Sequence, residues 1–393
     1  MVKFPLDHPP FHPIHLCAND KETLVELADV FVAETLEDYE RHLHAYNGVV
    51  DLQQWVPVNQ FENVTVYQDR EALVERRLSR ANIMRDRNAK RTDMLKLLWF
   101  GTVLGNLDDL MYAVVNPTAN EAKVKAAYVG SNVLDFEVLD TIVQPTPDDP
   151  YRGLQIKWAV NGGPPATRSV VRCRDFVYLE STGMTLSSTG ERIGFHILHS
   201  IAVPGAPELH EHKVIRGNMT LYHLYRQKSD GVVETFVKAL IDVKGDMPLG
   251  MAMKMSVKGV VSVWNLGEYA LMKKLNWMLA QRRPIVPSYR SDFCNFCHRN
   301  MRGAMVRRKT CKICVYRVCS RCCVTKKMYY VPPQSRAVVQ KQACVCKNCL
   351  QTATYANGLD IALGELSKKT DQYKTYAYWA AASPTSSSSS IMP

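Results

Sequence analysis

The chain has 393 residues, 46% of them hydrophobic and 22% charged, enough for two ordinary domains with buried cores. No run of about 18 apolar residues occurs, which excludes a helical membrane span. The net charge of +11 is unevenly placed: residues 1–281 hold 30 Lys+Arg against 34 Asp+Glu, residues 282–349 hold 16 against one (Asp292), and residues 350–393 hold three of each. Ten of the 12 cysteines share that basic middle segment. The N-terminus, MVKFPLDHPPFHP, has prolines and histidines where a signal peptide needs an apolar stretch, so the expected location is cytoplasmic.

After an N-terminal segment, 1–19, the first pattern is helical: Leu24, Leu27, Ala28 and Phe31 repeat at helical spacing in 21–44, behind Asn19 or Asp20 as N-cap. Further helices are expected at 70–82 and at 91–115, the latter interrupted near Gly101 to Asn106. From about 125 to 244 the pattern changes to short β-branched and aromatic runs such as LQIKWAV, VVRCRDFVYLES and RIGFHILHSIAV, separated by Gly- and Pro-containing turns. A last helix is expected from Pro248 to Leu279, carrying Met251, Met253 and Met255, side chains that adapt to irregular shapes. Helix, antiparallel sheet, then long helix is an α+β helix-grip order, a curved sheet wrapped around its final helix.

Three stretches in this region carry a family likeness: Arg174-Asp175-Phe176-Val177-Tyr178, Val214-Ile215-Arg216-Gly217, and Ile241 to Pro248. With the element order, they make residues 20–281 resemble the START lipid-transfer family. The resemblance implies one apolar lipid or sterol held between sheet and final helix, under a gate that would fall at Asn161 to Thr167. It does not say which residues line the cavity.

The cysteines of 282–352 are read as metal ligands rather than disulfides, because the chain lacks a signal peptide. Cys294-x2-Cys297, Cys311-x2-Cys314, Cys319-x2-Cys322 and Cys346-x2-Cys349 supply eight thiolates, enough for two tetrahedral Zn2+ sites. Only four residues separate the second pair from the third, which favours crossed pairing, first with third and second with fourth. Cys323 and Cys344 are left over, and Cys17 and Cys173 belong to the other domain. The ligand spacing resembles a degenerate FYVE-type finger, and a START domain followed by such a finger is similar to an oomycete START–FYVE protein family.

That second resemblance implies an anionic membrane partner, phosphatidylinositol 3-phosphate in particular, and a peripheral place on endosomal membranes. The matching basic residues are Arg307, Arg308, Lys309 and Lys312, which can give phosphate charge-assisted hydrogen bonds. Met305 and Val306 match the apolar tip that enters the bilayer. The family's tryptophan–aspartate element, paired histidines and last arginine are absent, so charge-driven binding is expected in place of selective recognition.

Other functions are set aside on particular residues. A RING-type ubiquitin ligase normally has a histidine between the second and third pairs, where this chain has Val315 to Val318. Nucleic-acid binding would need the finger's aromatics for stacking, and those residues are read as its small core. His196 and His199 lie three apart on a strand and face opposite sides, so they cannot chelate together. No nucleophile elbow, phosphate loop or dinucleotide fingerprint occurs, so the expected protein is non-enzymatic. The alternative from another class is a zinc-dependent adaptor with an empty grip domain. The serine-rich end of the tail, 353–393, is low-complexity sequence.

Overall fold

The structure is a computed structural model that describes residues 3–75, 94–163, 171–245, 247–281, 292–302 and 308–368. The chain divides into two compact units, Met1–Ala270 and Leu271–Pro393. The sequence puts a boundary after Gln281, whereas the compact units divide within the last long helical stretch.

The larger unit opens with α1 (Ala18–Ala45), capped by Cys17, whose Sγ accepts from the Asp20 amide. Strands β1 (Trp55–Phe61), β2 (Val64–Asp69) and β3 (Leu95–Leu104) follow, then α2 (Leu107–Val114) and α3 (Ala119–Val129). The capping box of Thr118 and Glu121 starts α3, and Gly130 in the left-handed region ends it. Then come β4 (Val133–Val143), β5 (Gly153–Asn161), β6 (Arg174–Leu186), β7 (Arg192–Ser200), the short β8 (Ile215–Arg216), β9 (Asn218–Ser229) and β10 (Val232–Asp242). The sheet order is β1-β2-β3-β10-β9-β7-β6-β5-β4, antiparallel throughout, with β8 pairing β6 in parallel. Helices α4 (Leu249–Trp264) and α5 (Leu266–Ala280) close the fold. This is the expected α+β helix grip.

Both faces of the sheet are covered, and the ladder register sorts its residues between them. On one face, Ile193, Phe195, Ile197, Leu224 and Phe236 pack under Val32 and Tyr39 of α1. The N-terminal segment extends that cover over Ile156, Trp158 and Leu179, with Phe11 edge-on to Trp158 at 5.6 Å. The other face carries the alternate residues: Trp99 of β3 lies beneath α4, where a β-carbon on Gly259 would fall 2.5 Å from its ring. Gly194 of β7 lies against Met111 of α2 in the same way.

Two-sided burial explains the main departure from the sequence expectation. Residues 95–104 form a strand, not part of a helix spanning 91–115. Leu95, Leu97, Leu98 and Trp99 are all buried, so the run has no period-2 alternation to separate it from a helix. The pattern expected to be all strand from 125 begins with the end of α3. The single last helix is two, broken at Asn265, whose side chain donates to the Val129 carbonyl at 3.3 Å. The expected helix at 70–82 is described only as far as 75.

The three stretches singled out in the sequence form one clamp. Arg174 donates from Nε to the Val243 carbonyl at 3.0 Å and from Nη2 to the Lys244 carbonyl at 3.0 Å, fixing the turn after β10. Lys244 (φ 44°) and Gly245 (φ 63°) both take left-handed backbone there. Asp175, fully buried, accepts at one oxygen from Arg216 Nε (3.0 Å), Arg216 Nη2 (2.8 Å) and Trp158 Nε1 (2.9 Å). Gly217 leaves room for Phe176, whose ring would meet a β-carbon at 2.6 Å.

Replacing Asp175 by Ala leaves an indole N–H without its acceptor and a largely buried guanidinium with only the Ala206 and Pro207 carbonyls, a change expected to cost about 3 kcal/mol. Urea unfolding followed by tryptophan fluorescence measures it. A loss below about 1 kcal/mol would contradict the clamp.

Candidate functional site: a polar row beneath the helices and two cysteine tetrads

The helix-covered face of the sheet is apolar at its margins and polar through its middle. Lys157 of β5, Glu180 of β6, His196 of β7 and His223 of β9 follow one another across neighbouring strands. Lys157 Nζ pairs with one Glu180 oxygen and donates to the Asn116 carbonyl at 3.1 Å. The other Glu180 oxygen accepts from His196 Nε2 at 2.9 Å, which fixes that ring's tautomer. His223 stacks on His196 with centroids 5.0 Å apart and donates from Nδ1 to the His196 carbonyl at 2.9 Å. Asn116 is held in turn by Tyr269 of α5, whose hydroxyl donates to its side-chain oxygen at 2.6 Å.

Burial and pairing set the charges of this row. Burial works to raise the Glu180 pKa, but the Lys157 ammonium and the His196 hydrogen bond overcome it and hold the carboxyl well below its usual range. Burial pushes His196 down, against the pull of Glu180. His223 falls to about 3, first through burial and then through the neighbouring His196. The row is therefore one ion pair flanked by two neutral imidazoles.

Two polar groups on this face lack a partner. Trp99 Nε1 and Thr235 Oγ1 are buried and find no hydrogen-bond partner among the described residues. Thr235 of β10 lies opposite Gly101 of β3, two residues along the ladder from Trp99, so the two groups share a face. Leaving such groups buried and unpaired costs roughly 1–3 kcal/mol each. The sequence marks neither these groups nor the Glu180 row; of His196 it shows only that it cannot chelate together with His199. The missing information is strand register, which alone brings β3 beside β10 and β6 beside β7.

Elsewhere on this unit, an open cleft of about 650 Å³ lies between the end of α1 and the opposite sheet face. Its charges satisfy one another: Glu234 accepts from Tyr39 at 2.6 Å, Arg226 at 3.2 Å and Lys228 at 3.1 Å. The sequence-expected gate lies only partly within the described residues, which stop at 163 and resume at 171.

The smaller unit is built from two hairpins, β11 (Arg308–Thr310) with β12 (Arg317–Cys319) and β13 (Cys323–Tyr330) with β14 (Val339–Cys346), followed by α6 (Lys347–Tyr355) and α7 (Gly358–Lys368). Within it the second half of α5 meets these last helices: Lys274 Nζ donates to the Ala356 carbonyl at 2.7 Å, and Gly364 lies under Trp277. The first and second cysteine pairs sit on tight knuckles that end in left-handed residues, His298 (φ 53°) and Val315 (φ 66°).

The knuckles bring the eight cysteines into two tetrads. Cys294, Cys297, Cys319 and Cys322 form one and Cys311, Cys314, Cys346 and Cys349 the other, with every sulfur within 4.8 Å of its group. This is the crossed pairing expected from the four-residue gap. Four thiolates at the usual zinc–sulfur length span edges of about 3.8 Å in a tetrahedron. Cys297 to Cys319 is 3.8 Å and Cys314 to Cys346 is 3.7 Å. Backbone amides support the sulfurs: Cys319 N donates to Cys294 Sγ at 3.4 Å and Cys346 N to Cys311 Sγ at 3.3 Å. Four sulfur donors and no open position suit a structural metal site.

Of the basic residues, Arg308 and Lys309 lie on β11 and Lys312 in the second knuckle; Arg308 Nε also donates to the Met301 carbonyl at 2.9 Å. Arg307, Met305 and Val306 lie outside the described residues. The two leftover cysteines, Cys323 and Cys344, are bonded to each other across β13 and β14.

No protein-family model and no curated protein matches the chain. Among solved structures it is similar to the human StAR-related lipid transfer protein 5, at 14% identity and TM-score 0.41, over 64% of this chain and 97% of that one. It is similar to human STARD10 at 13% identity and TM-score 0.40, over 61% and 79% of the two chains. A STAR-related lipid transfer protein fragment from Xanthomonas axonopodis matches at 13% identity and TM-score 0.37, over 55% and 98%.

Acid should loosen the larger unit through its imidazoles. The unfolded chain binds protons at His196 and His223 below their ordinary pKa of 6.5, whereas folded His223 stays neutral to about 3. Stability therefore falls as pH drops from about 6.5, and Glu180 adds to the loss below its ordinary 4.5. Urea midpoints between pH 7 and 4 should fall less steeply in His223→Phe than in the wild type. Acid effects on the cysteine tetrads are common to both proteins, so equal slopes would contradict the assignment.

Proposed function

We propose that this chain is a non-enzymatic lipid-binding protein. Its larger unit takes one apolar lipid between the helix-covered sheet face and α4, and its smaller unit is a two-zinc finger that attaches it to anionic membranes. The observation that carries the lipid reading is the pair of unpartnered donors, Trp99 Nε1 and Thr235 Oγ1, buried under a methionine-bearing helix. A lipid hydroxyl or carbonyl reaching that face would satisfy both, with its hydrocarbon against the apolar margins of the face. Met251, Met253 and Met255 give α4 side chains that can follow a ligand's outline.

The zinc reading is supported by the tetrad geometry. Each site offers only sulfur, which selects zinc over magnesium or calcium. The two ions would tie together segments from every part of the finger. The membrane reading is supported by charge: residues 282–349 hold 16 Lys+Arg against a single acid. Such a surface is drawn to anionic lipid with a strength that falls as salt rises.

Three measurements test these readings. Trp99→Phe with Thr235→Val removes both donors, the second at nearly constant volume and the first with the loss of one ring. It should reduce uptake of a fluorescent sterol or phospholipid from neutral vesicles about tenfold, with Thr235→Val alone preserving the thermal midpoint. Unchanged uptake would remove the lipid reading. The intact chain should also carry two zinc equivalents by elemental analysis, and Cys311→Ser should lower this to about one. Co-sedimentation with phosphatidylserine vesicles should weaken when Arg308, Lys309 and Lys312 are changed to Ala; unaltered binding would remove the membrane reading.

A further inference from the structure

Ten cysteines lie in the finger segment, and the two tetrads account for eight of them. The remaining pair has a definite place. The β13–β14 register sets Cys323 opposite Cys346 and Thr325 opposite Cys344, so Cys323 and Cys344 are diagonal neighbours on one face of the hairpin. Their α-carbons are 5.8 Å apart, inside the range a disulfide spans, and the two are bonded. Both residues are half-buried, within reach of a small thiol.

We propose that Cys323–Cys344 is a reversible redox-modification site, chemically separate from the metal thiolates. This rests on the zinc reading in one respect: eight sulfurs held by metal leave these two as the only finger cysteines free to exchange. Metal-bound thiolates persist where thiols are kept reduced, and there a half-buried disulfide meets a thiol–disulfide buffer. Oxidation takes two steps with a low-molecular-weight disulfide such as oxidised glutathione. One cysteine sulfur attacks a glutathione sulfur, forming a mixed disulfide and releasing one glutathione thiolate. The second cysteine sulfur then displaces the other glutathione. One protein S–S bond has formed and one glutathione S–S bond has broken. The two protons lost by the protein appear on two glutathione thiols.

Position gives the bond a consequence. Cys323 directly follows Cys322, a ligand of the first tetrad, and Cys344 lies two residues before Cys346, a ligand of the second. The bond closes a separation of 21 residues and joins the strand that leaves one metal site to the strand that enters the other. In the oxidised chain, opening either site must carry the other ligand segment with it. Metal loss to a chelator should therefore be about tenfold slower in the oxidised form.

The test equilibrates the zinc-loaded full chain across reduced and oxidised glutathione, quenches by alkylation, and reads peptide map, intact mass and metal content. The expected result is a loss of about 2 Da, a cross-linked peptide holding Cys323 and Cys344, two zinc ions retained, and reversal by excess reduced glutathione. Cys323→Ser and Cys344→Ser should each abolish the bond while keeping both metals. Alkylation of both residues at the most oxidising ratio would overturn the proposal. So would their remaining bonded at the most reducing ratio, metal loss in either Ser variant, or cross-linking of a tetrad cysteine during oxidation. If the wild-type chain binds no zinc at all, the zinc reading fails separately, and the map of Cys323 and Cys344 still decides the redox site.

Discussion

A sheet covered on both faces must pair or neutralise every polar side chain it buries. The larger unit depends on that constraint. Its face under α1 is mainly apolar, with polar residues at the Tyr39–Glu234–Arg226 cluster, at His42 and at Ser181 and Asp175. The Asp175 clamp applies the rule at one of its oxygens, where β5, β6 and β8 meet. One carboxylate oxygen collects three donors, and the turn after β10 is fixed by the neighbouring arginine. The face under α4 meets the rule only in part. Lys157, Glu180, His196 and Asn116 satisfy one another, whereas Trp99 and Thr235 do not. Buried side-chain atoms without a hydrogen-bond partner also occur elsewhere among the described residues, His42 Nε2, Ser181 Oγ and Asp175 Oδ1 among them; Trp99 and Thr235 stand apart because they lie together on the face under α4.

The smaller unit meets a different constraint. Its hairpins are short, and the described part of its finger buries few large apolar side chains beyond Met301, Val318, Met328 and Val345. A core of that size does not hold such a fold by itself, and metal or covalent cross-links are the usual remedy. The crossed tetrads bring together sulfurs from segments far apart in sequence, where a metal ion could join them, and the Cys323–Cys344 bond links the third and fourth cysteine segments.

The two halves differed in how far their sequence could be read. Cysteine ligands come as CxxC knuckles, a local pattern, and the four-residue gap between Cys314 and Cys319 restricts the pairing. Both were legible without the fold. The strand-rich centre was legible as strands, and the Arg174, Asp175 and Arg216 stretches marked a fold whose clamp they turned out to form. Residues 95–104 were not legible, because a strand buried on both sides has no alternation. The Glu180–His196–His223 row, the Trp99–Thr235 pair and the Cys323–Cys344 bond escaped for one shared reason. Each is made by register between strands, and a single sequence states composition far better than alignment between its own segments.

The central claim is that the helix-covered face of the larger unit receives a lipid. Native mass spectrometry of the full chain, purified without detergent and then offered a mixed lipid extract, addresses it directly. The account predicts a species carrying one lipid, whose population drops in the Trp99→Phe, Thr235→Val protein. A chain that stays lipid-free at every lipid concentration, or a lipid adduct indifferent to those two residues, would contradict it.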